Sequence, residues 1–330
     1  MGWMDELFLI KDAVTEKMLK KIDEVVPSEL RDASAHLVKS GGKRLRPFFL
    51  IEVGRSLGAP IERLLPGAMA VEFIHTFSLV HDDIMDNDEF RRGVRTVHTI
   101  WGVPMGILAG DMLYSLAFTS LDDLSKLGVN DARIRMAYRV LSWSTYLLAM
   151  GQGLDMVFPS KSGVGVRDYL KMVSYKTAAL FRCSAQLGAI LGGGSYDVIR
   201  KMDRFGFNVG VAFQIIDDLL GVFGDERKTG KPVGSDIREG KKTLIVIYGL
   251  KVANKEQRKV ILDVLGRRNA SQDDVGKAVE ILRSVGADAY ARRMAMKYAE
   301  RALKFLKALP GNVHRDHLES AVRFVVERSY

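Results

Sequence analysis

Apolar residues recur every three or four positions through most of this chain of 330 residues, as at Leu64, Ala68, Val71 and Ile74. This spacing follows the 3.6-residue turn of an α-helix, whereas the strict alternation typical of a half-buried strand is scarce. The pattern predicts an all-α protein. Its helices are predicted, with ends accurate to ~2–4 residues, over 5–25, 28–40, 44–57, 62–86, 98–127, 131–157, 166–192, 196–223, 241–265, 272–284, 286–308 and 314–328.

The turns between these helices carry glycine and proline, as at Gly41-Gly42, Gly192 to Gly194 and Pro310-Gly311. Such clusters end helices because glycine adopts backbone angles that other residues avoid and proline cannot continue a helix. No linker rich in proline or serine and no internal repeat divides the chain. Since 47% of the residues are hydrophobic, we predict a single domain over residues 1–330 with a large core.

The composition limits the cellular compartment in which the protein can function. The longest apolar runs, such as Leu244 to Leu250, are shorter than the ~18 residues of a membrane span, and the amino terminus lacks the features of a signal peptide. The single cysteine, Cys183, excludes an internal disulfide and a cysteine-based zinc site, and we predict that it is a small core residue. These features predict a cytoplasmic protein with no integral membrane segment.

The chain is basic, with 49 Lys and Arg against 40 Asp and Glu, a net charge of +9. Basic proteins bind nucleic acids, anionic lipid headgroups or phosphorylated small molecules. Here the positive charge is scattered and forms no uninterrupted basic block or patch interleaved with aromatic residues. The distribution therefore argues against a nucleic-acid partner.

The most informative motif is His81-Asp82-Asp83-Ile84-Met85-Asp86, at the end of a long apolar helix. Residues four apart on a helix differ by about 40° in direction and about 6 Å along the axis, so Asp82 and Asp86 share one side. The helix dipole makes negative charge unfavourable at this end. A cation would compensate, and Mg²⁺ is commonly held by one or two carboxylates together with substrate phosphates.

A second acidic pair, Asp217-Asp218, lies 135 residues after Asp82 on another apolar helix. Ionised side chains are seldom placed among apolar neighbours without a partner. Two such pairs facing each other across a helical bundle would form a magnesium site with several ions. Asp122-Asp123 precedes the turn that ends at Gly128, and we interpret it as solvated surface.

Basic residues accompany both acidic motifs. They lie in the segment Gly41 to Pro47, directly after the first acidic motif at Arg91-Arg92, and at Lys176, Lys231, Lys241 and Lys242. Glycine lets backbone N–H groups approach an anion, and arginine offers a planar fork that matches phosphate oxygens. Acidic pairs together with several cations therefore indicate a substrate with one or two diphosphate groups.

In their order along the chain, these motifs resemble those of the trans-isoprenyl diphosphate synthases, also called polyprenyl synthetases. The matching segments are GGKRLRP at 41–47, EFIHTFSLVHDDIMDND at 72–88, RRG at 91–93, GD at 110–111, YKTAAL at 175–180, GVAFQIIDDLLGVFGD at 210–225 and TGKPVGSDIREGKKT at 229–243. The resemblance implies the isoprenoid synthase fold, a single-domain bundle of long helices around a central cavity. It also implies a homodimer or higher homo-oligomer.

The resemblance further implies residue roles. Magnesium, with three ions per active site, would bind Asp82, Asp86 and Asp217, and the catalytic residues would be these three with Lys176 and Lys231. The residues that hold the allylic diphosphate would be Arg91, Lys176, Thr177, Gln214, Lys231 and Lys241. Those that hold isopentenyl diphosphate would be Lys43, Arg46, His75 and Arg92.

The sequence departs from the family pattern at Gly221, where many relatives end the second acidic motif with a third Asp. Metal binding at this motif is therefore expected to depend chiefly on Asp217, with Asp218 as support. The shortened motif is similar to that of archaeal geranylgeranyl diphosphate synthases. We interpret it as a variant of the motif and not as a loss of activity.

Product length is expected to depend on the residues below the first acidic motif. Phe77 precedes Asp82 by five residues, about 7.5 Å along an ideal helix, and Ile74 lies about one turn further. By periodicity alone both are ordinary core residues. In the family, a single aromatic residue here, with the small Ser78 beside it, resembles synthases that stop at twenty carbons. A short-chain all-trans product, geranylgeranyl diphosphate, is therefore expected, with a farnesyl or mixed-length synthase as the alternative.

Other functions fit the residues less well. A His-Asp metal phosphohydrolase would use His75 and His81-Asp82, but the six histidines provide no second cluster. A terpene cyclase needs no isopentenyl site. A P-loop fails because five residues separate Gly224 from Gly230-Lys231 and Pro232 follows the lysine. A nucleic-acid-binding protein without enzymatic activity would show salt-sensitive binding and no turnover.

Overall fold

The computed structural model describes residues 2–224 and 233–327, and nearly all of its regular structure is helical. The prediction of an all-α protein is confirmed, with one short hairpin added. In chain order the elements are α1 Trp3–Ile22, α2 Ser28–Lys39, α3 Leu45–Ser56, α4 Ile61–Asp86, β1 Phe90–Arg91, β2 Val94–Arg95, α5 Val97–Trp101, α6 Val103–Lys126, α7 Asp131–Val157, α8 Val166–Lys176, α9 Ala178–Leu191, α10 Tyr196–Phe223, α11 Ser235–Arg238, α12 Leu244–Val252, α13 Lys255–Val264, α14 Gln272–Ser284, α15 Ala287–Leu306 and α16 Val313–Glu327.

The contacts of the backbone divide the chain into two compact units. Unit 1 comprises Met1–Thr145, Leu180–Asp203 and Leu306–Ser320. Unit 2 comprises the remaining segments, Tyr146–Ala179, Arg204–Phe305 and Ala321–Tyr330. A single domain over residues 1–330 stays a prediction.

The core of unit 1 is formed around α4, which packs against α3 and α6. Every residue of α4 from Pro66 to Ile74 is buried, as expected for a helix that neighbours surround. Next to it, the ring of Phe49 contacts Phe48 and Phe181 edge-to-face, with centroids 5.8 Å apart in each pair. Aromatic pairs of this kind stabilise a core by about 0.5–1.5 kcal/mol beyond the area that they bury. This core supports the end of α4, where the first acidic motif lies.

A two-stranded hairpin follows α4 in unit 1. Phe90 pairs with Arg95 and Arg91 with Val94 in the antiparallel register. The two residues of its turn, Arg92 and Gly93, have positive φ angles of 54° and 79°. Turns of this form match the twist of the two strands that they join. Strands of two residues are too short to show an alternating pattern, so the hairpin was not predicted.

Three predicted helices are interrupted in the structure. The segment predicted over 98–127 breaks at Gly102, whose φ of 83° is favourable only for glycine. The segment over 166–192 breaks at Thr177, between α8 and α9. The segment over 241–265 is replaced by α12 and α13, because Asn254 begins α13 by accepting a hydrogen bond from the backbone N–H of Gln257. Apolar spacing continues across all three breaks, and only local backbone geometry reveals them.

Unit 2 contains the shorter carboxyl-terminal helices. Helix α12 packs against α8 and α14, and α13 packs against α14. The rings of Tyr248 and Tyr290 stack with their centroids 4.0 Å apart. Ser271 caps α14 by accepting a hydrogen bond from the N–H of Asp274, which satisfies one of the free donors at the helix start.

Two helices, α4 and α10, are long and apolar enough to cross a membrane when only length and composition are considered. In each, 67% of the most apolar window is buried inside the protein, and core helices of globular proteins have the same composition. Polar and charged residues interrupt the apolar runs of both helices, so run length did not predict them as spans.

Cys183 lies on α9 and is completely buried, so the prediction that it is a core residue is confirmed. Burial raises the pKa of its thiol to about 12. The thiol is therefore protonated at neutral pH and has little nucleophilic character.

Candidate active site

The first acidic motif forms the last turn of α4 in unit 1. Asp82 and Asp86 are partly exposed, whereas Asp83 between them is 1% exposed. The helix ends at Asn87, which has a positive φ of 56° and directs the chain into the hairpin. Asp82 and Asp86 were predicted to share one side of the helix, and the burial of Asp83 between them agrees with this prediction. Because the shared side offers carboxylate oxygens, it suits a hard divalent cation such as Mg²⁺.

Asp83 pairs with Arg91 from the hairpin. The Nε of Arg91 donates to Oδ1 of Asp83 at 2.7 Å, and its Nη2 donates to Asp88 at 3.2 Å. Burial raises the pKa of Asp83, and the positive charge of Arg91 acts in the opposite direction. In this structure Arg91 is thus an internal partner of the acidic motif. Its role toward an allylic diphosphate stays a prediction.

The glycines of the segment Gly41 to Pro47 lie against the turn of the hairpin. The guanidinium of Arg92 donates to the carbonyl of Gly41. A Cβ on Gly42, whose φ is 122°, would lie 2.8 Å from the guanidinium carbon of Arg92. Glycine at 42 is therefore favoured by its φ and by the nearby arginine, whereas at Gly41, where a Cβ would meet nothing within 4 Å, only the φ of 92° favours glycine.

The three basic residues of this segment have different environments. Arg44 is 2% exposed and forms an ion pair with Glu72 at 2.8 Å. Its left-handed backbone, with a φ of 49°, turns it inward while Lys43 beside it is exposed. The guanidinium carbon of Arg46 lies 4.7 Å from the centroid of the Phe181 ring. Arg44 is therefore structural, and Lys43 and Arg46 are the residues of this segment that remain candidates for a phosphate.

His75 lies on α4 beside these arginines. Burial lowers the pKa of His75 well below its ordinary value, and the positive charges of Arg46 and Arg92 lower it further. The imidazole is therefore neutral at physiological pH. A neutral ring among guanidinium groups marks a region of positive potential, which attracts an anion. Three of the residues predicted for isopentenyl diphosphate, His75, Arg46 and Arg92, thus interact electrostatically in unit 1.

The second acidic motif lies on α10 in unit 2. Asp217 is exposed, and Asp218 is 7% exposed. Asp218 accepts hydrogen bonds from the hydroxyl of Tyr169 at 2.6 Å and from the amide of Gln214 at 2.7 Å. Burial raises the pKa of Asp218 to about 8, and the neighbouring Asp236 raises it as well. Asp218 is thus an internal partner of Tyr169 and Gln214, and Asp217 is the carboxylate of this pair that faces solvent.

Thr177 and Gln214 form a direct pair. The hydroxyl of Thr177 donates to the amide oxygen of Gln214 at 2.5 Å, and the amide nitrogen donates to Asp218. Thr177 reaches this position because the backbone breaks between α8 and α9. Helix α7 approaches the break closely: a Cβ on Gly151 would lie 2.2 Å from the backbone nitrogen of Lys176. The pair predicted from resemblance is therefore held by a helix break that requires a glycine on the neighbouring helix.

Two predicted lysines of unit 2 have carboxylate partners. Lys176 forms an ion pair with Asp155 at 2.6 Å, and Lys241 forms ion pairs with Glu239 at 2.6 Å and Asp236 at 3.8 Å. Although burial acts to lower it, these acids raise the pKa of Lys241. Both lysines are therefore charged. Lys231 lies outside the described residues.

Asp236 occupies the space beside Gly221. A Cβ on Gly221 would lie 2.3 Å from a carboxylate oxygen of Asp236. The position where many relatives carry a third Asp is therefore filled by a carboxylate from α11. Asp155, Tyr169 and Asp236 were not predicted as site residues. Only Asp236 had a sequence signal, because it lies within the motif quoted at 229–243.

The residues predicted to limit product length differ in burial. Ile74 is completely buried and the hydroxyl of Ser78 donates to the backbone carbonyl of His75. Phe77 is partly exposed, and its ring contacts those of His81 and Tyr114, with centroids 5.0 and 5.3 Å away. Phe77 is thus the better candidate for a side chain that meets a substrate tail, and Tyr114 on α6 is a neighbour that sequence analysis missed.

Comparison with known proteins identifies relatives over nearly the whole chain. Residues 27–282 match the model of the polyprenyl synthetase family. A geranylgeranyl diphosphate synthase of Saccharolobus solfataricus is 40% identical over 326 residues, which are 98% of this chain and 97% of that protein. A geranylfarnesyl diphosphate synthase of Aeropyrum pernix is 43% identical over 308 residues, which are 92% of this chain and 96% of that protein.

The fold is similar to that of a solved polyprenyl synthase from Caulobacter crescentus CB15 in complex with calcium and isoprenyl diphosphate. The TM-score is 0.89, the sequences are 30% identical, and the match covers 100% of this chain and 99% of that one. The relative therefore combines this fold with a divalent cation and a diphosphate ligand.

Proposed function

The chain belongs to the polyprenyl synthetase family, and we propose that it condenses isopentenyl diphosphate with allylic diphosphates to make short-chain all-trans polyprenyl diphosphates, chiefly geranylgeranyl diphosphate. The observation that carries this proposal is the arrangement of charge in unit 1. Asp82 and Asp86 lie one turn apart at the end of α4, and the positive charges of Arg46 and Arg92 act on the neutral His75 of the same helix. A site for a cation and a site for an anion thus lie on one helix.

The family depends on a metal ion, and for this chain the ion is Mg²⁺. The family resemblance assigns the metal ligands to Asp82, Asp86 and Asp217, with three ions per active site. The donors fit, because all are carboxylates with exposed surface. Bound Mg²⁺ would neutralise the charge of the allylic diphosphate. Asp218 is a weaker candidate than Asp217, since Tyr169 and Gln214 already donate to both of its oxygens.

The basic residues would bind the two diphosphates and stabilise charge as it develops on the leaving group. We assign isopentenyl diphosphate to Lys43, Arg46, His75 and Arg92, and the allylic diphosphate to Arg91, Lys176, Thr177, Gln214, Lys231 and Lys241. Each of the described cations of the second group has a carboxylate partner in the structure. Binding of the diphosphate with its ions would exchange these internal partners for phosphate oxygens.

Thr177 and Gln214 have a role that their hydrogen bond supports. Because the hydroxyl of Thr177 donates its proton to Gln214, its oxygen is left as a source of lone-pair electron density. An oxygen dipole of this kind stabilises a neighbouring carbocation when water is excluded. We assign the pair to the allylic carbon that becomes positive when the diphosphate leaves.

We also propose that the protein is a homodimer. Helix α6 in unit 1 exposes the large apolar residues Val103, Ile107 and Leu108, and α7 exposes Trp143 at 57%. Large apolar side chains exposed on these helices favour contact with another protein surface. A second copy of the chain is the partner that the family resemblance implies.

Product analysis tests the proposed reaction. The protein is incubated with Mg²⁺, radiolabelled isopentenyl diphosphate and each allylic primer in turn, and the dephosphorylated products are separated by length. We expect twenty-carbon chains to dominate. Fifteen-carbon products would indicate a farnesyl synthase, twenty-five-carbon products a geranylfarnesyl synthase, and cyclised products or no incorporation of isopentenyl diphosphate would contradict the proposal.

Substitution of Arg46 by alanine should raise the KM for isopentenyl diphosphate by roughly ten- to a hundredfold, with a smaller change in kcat. The guanidinium would form a charge-assisted contact with this substrate, and a hydrogen bond to a charged group contributes about 1.5–3 kcal/mol. Lys43→Ala should act in the same direction. Steady-state kinetics with each substrate varied in turn provide the measurement.

The matched control for these substitutions is Lys20→Ala, which removes an exposed lysine from α1 and should leave both KM values unchanged. If Arg46→Ala instead raised only the KM for the allylic substrate, the two diphosphate sites would have been assigned in the wrong order.

A further inference from the structure

A second group of metal-ligand side chains lies in unit 1, away from the motifs described above. It consists of Glu52 on α3 and of His314 and His317 in the first turns of α16. The Nδ1 of His314 lies 3.2 Å from Oε1 of Glu52, and the Nδ1 of His317 lies 2.7 Å from Oε2. Among the described residues, these are the three side chains of this kind whose donor atoms all lie within 4.8 Å of one another. Both histidines fall outside the region matched by the family model.

The cluster is shielded from solvent. The side chain of Glu52 is 0% exposed, that of His317 10% and that of His314 19%. A carboxylate in such a place requires a compensating charge or several hydrogen bonds, since burial disfavours its ionised form. Its partners here are two imidazoles, which are neutral ligands for transition metals as well as hydrogen-bond donors.

The charged side chains near the cluster are Arg55 and Glu6. Arg55, one turn after Glu52, is the nearest positive group, with its Nη1 3.8 Å from Oε1 of Glu52. The same guanidinium nitrogen forms a much closer ion pair with Glu6. The charge of Arg55 is therefore offset chiefly by that of Glu6.

We propose that Glu52, His314 and His317 form a binding site for a divalent transition metal of the Zn²⁺ class. Zinc binds imidazole nitrogen and carboxylate oxygen at about 2.0–2.2 Å, and tetrahedral ligands at that distance are about 3.3 Å apart. The Glu52–His314 separation of 3.2 Å already has this value. The Nδ1 of His317 and Oε2 of Glu52 need to move apart by roughly half an ångström to reach the same separation. A water would complete the coordination.

The types of ligand atom distinguish this site from the proposed magnesium sites. Two nitrogens with one carboxylate favour Zn²⁺ and its neighbours in the transition series, whereas Mg²⁺ prefers oxygen ligands alone. The Nδ1 atom of each histidine faces Glu52, so metal binding at Nδ1 requires the tautomer that carries its proton on Nε2.

The backbone near the cluster is already fixed. Asn312 donates from its amide nitrogen to the carbonyl of Ser56 at 2.9 Å, and its amide oxygen accepts from the N–H of Arg315 at 3.2 Å. These contacts join the start of α16 to the end of α3 and hold the three donors in place. A metal ion here would strengthen the same contact between α3 and α16. Helix α3 also carries Arg46 in its first turn.

Metal titration tests the proposal on the full chain. The protein is treated with a chelator, dialysed, and titrated with Co²⁺ in the presence of millimolar Mg²⁺ and without diphosphate, because Co²⁺ replaces Zn²⁺ and absorbs visible light when tetrahedrally bound. We expect one Co²⁺ per chain with such absorption bands, displacement by Zn²⁺, and a Tm that rises with added Zn²⁺. His317→Gln should weaken binding at least about a hundredfold, since it removes one of three ligands.

His36→Gln provides the matched control, because the Nε2 of His36 donates to the carbonyl of Arg95 at 2.7 Å and the residue has no part in the cluster. It should bind Co²⁺ as the unchanged protein does. If His317→Gln fails to fold, Glu52→Gln gives the same test with a smaller change of shape. Absence of one-to-one binding, or binding that persists in the double variant His314→Gln/His317→Gln, would show that the cluster is only a hydrogen-bonded joint.

Discussion

Substitution of Asp82 by alanine should lower kcat at least about a hundredfold, and Asp217→Ala should have an effect of the same size. Each change removes a carboxylate that would hold Mg²⁺ where negative charge develops on the leaving diphosphate, and lost transition-state electrostatics of this kind cost about 3 kcal/mol or more. Both carboxylates have exposed surface. Their loss should therefore leave Tm nearly unchanged.

Turnover is measured at saturating substrates and Mg²⁺, together with thermal unfolding. The matched control is Asp122→Ala, which removes an exposed aspartate from the other Asp-Asp pair of unit 1 and should retain full activity. Rates like those of the unchanged protein in Asp82→Ala or Asp217→Ala would rule out the assignment of that carboxylate as a metal ligand.

Substitution of Phe77 by alanine should shift the products beyond twenty carbons while turnover is retained. The ring is partly exposed and contacts His81 and Tyr114, so its removal opens space beside these two rings. It supplies no charge to the reaction. Truncation of a phenylalanine in a core typically costs about 3–5 kcal/mol, and the partial exposure of Phe77 should place its cost at or below the lower value.

The product distribution is measured on folded protein with isopentenyl diphosphate in excess. Phe48→Ala is the matched control, because this completely buried ring packs on Phe49 in the same unit. It should reduce Tm and leave product length unchanged. An unchanged distribution for folded Phe77→Ala would mean that Phe77 is ordinary core and that the twenty-carbon assignment has lost its physical basis.

Most helices were predictable because apolar periodicity is a local property of the chain. The predicted ends agree with the structure at 131–157, 196–223 and 272–284. The breaks at Gly102 and Thr177 and the capping box at Asn254 were not predicted, since apolar residues continue on both sides of them. The hairpin was missed because two-residue strands are too short to show alternation.

The candidate site was predictable to the level of its motifs. Spacing on a helix places Asp82 and Asp86 on one side, and this follows from the helical repeat alone. The difference between Asp217 and Asp218 was expected only from resemblance, and its physical cause is the pair of donors, Tyr169 and Gln214, that the fold brings to Asp218. The ion pair between Lys176 and Asp155 also depends on the fold, because no sequence pattern indicated Asp155 as a partner.

The sequence by itself determined the helical class, the family and the ordered acidic and basic motifs, because each depends on residues close together in the chain. The tertiary structure alone decided which charges are internal partners and which have exposed surface, since Arg44 meets Glu72 and Lys176 meets Asp155 only after helices pack. It also brought together Glu52, His314 and His317, a group that no sequence pattern indicated. His317 and Glu52 are 265 positions apart, and only packing of α16 near α3 brings their donor atoms together.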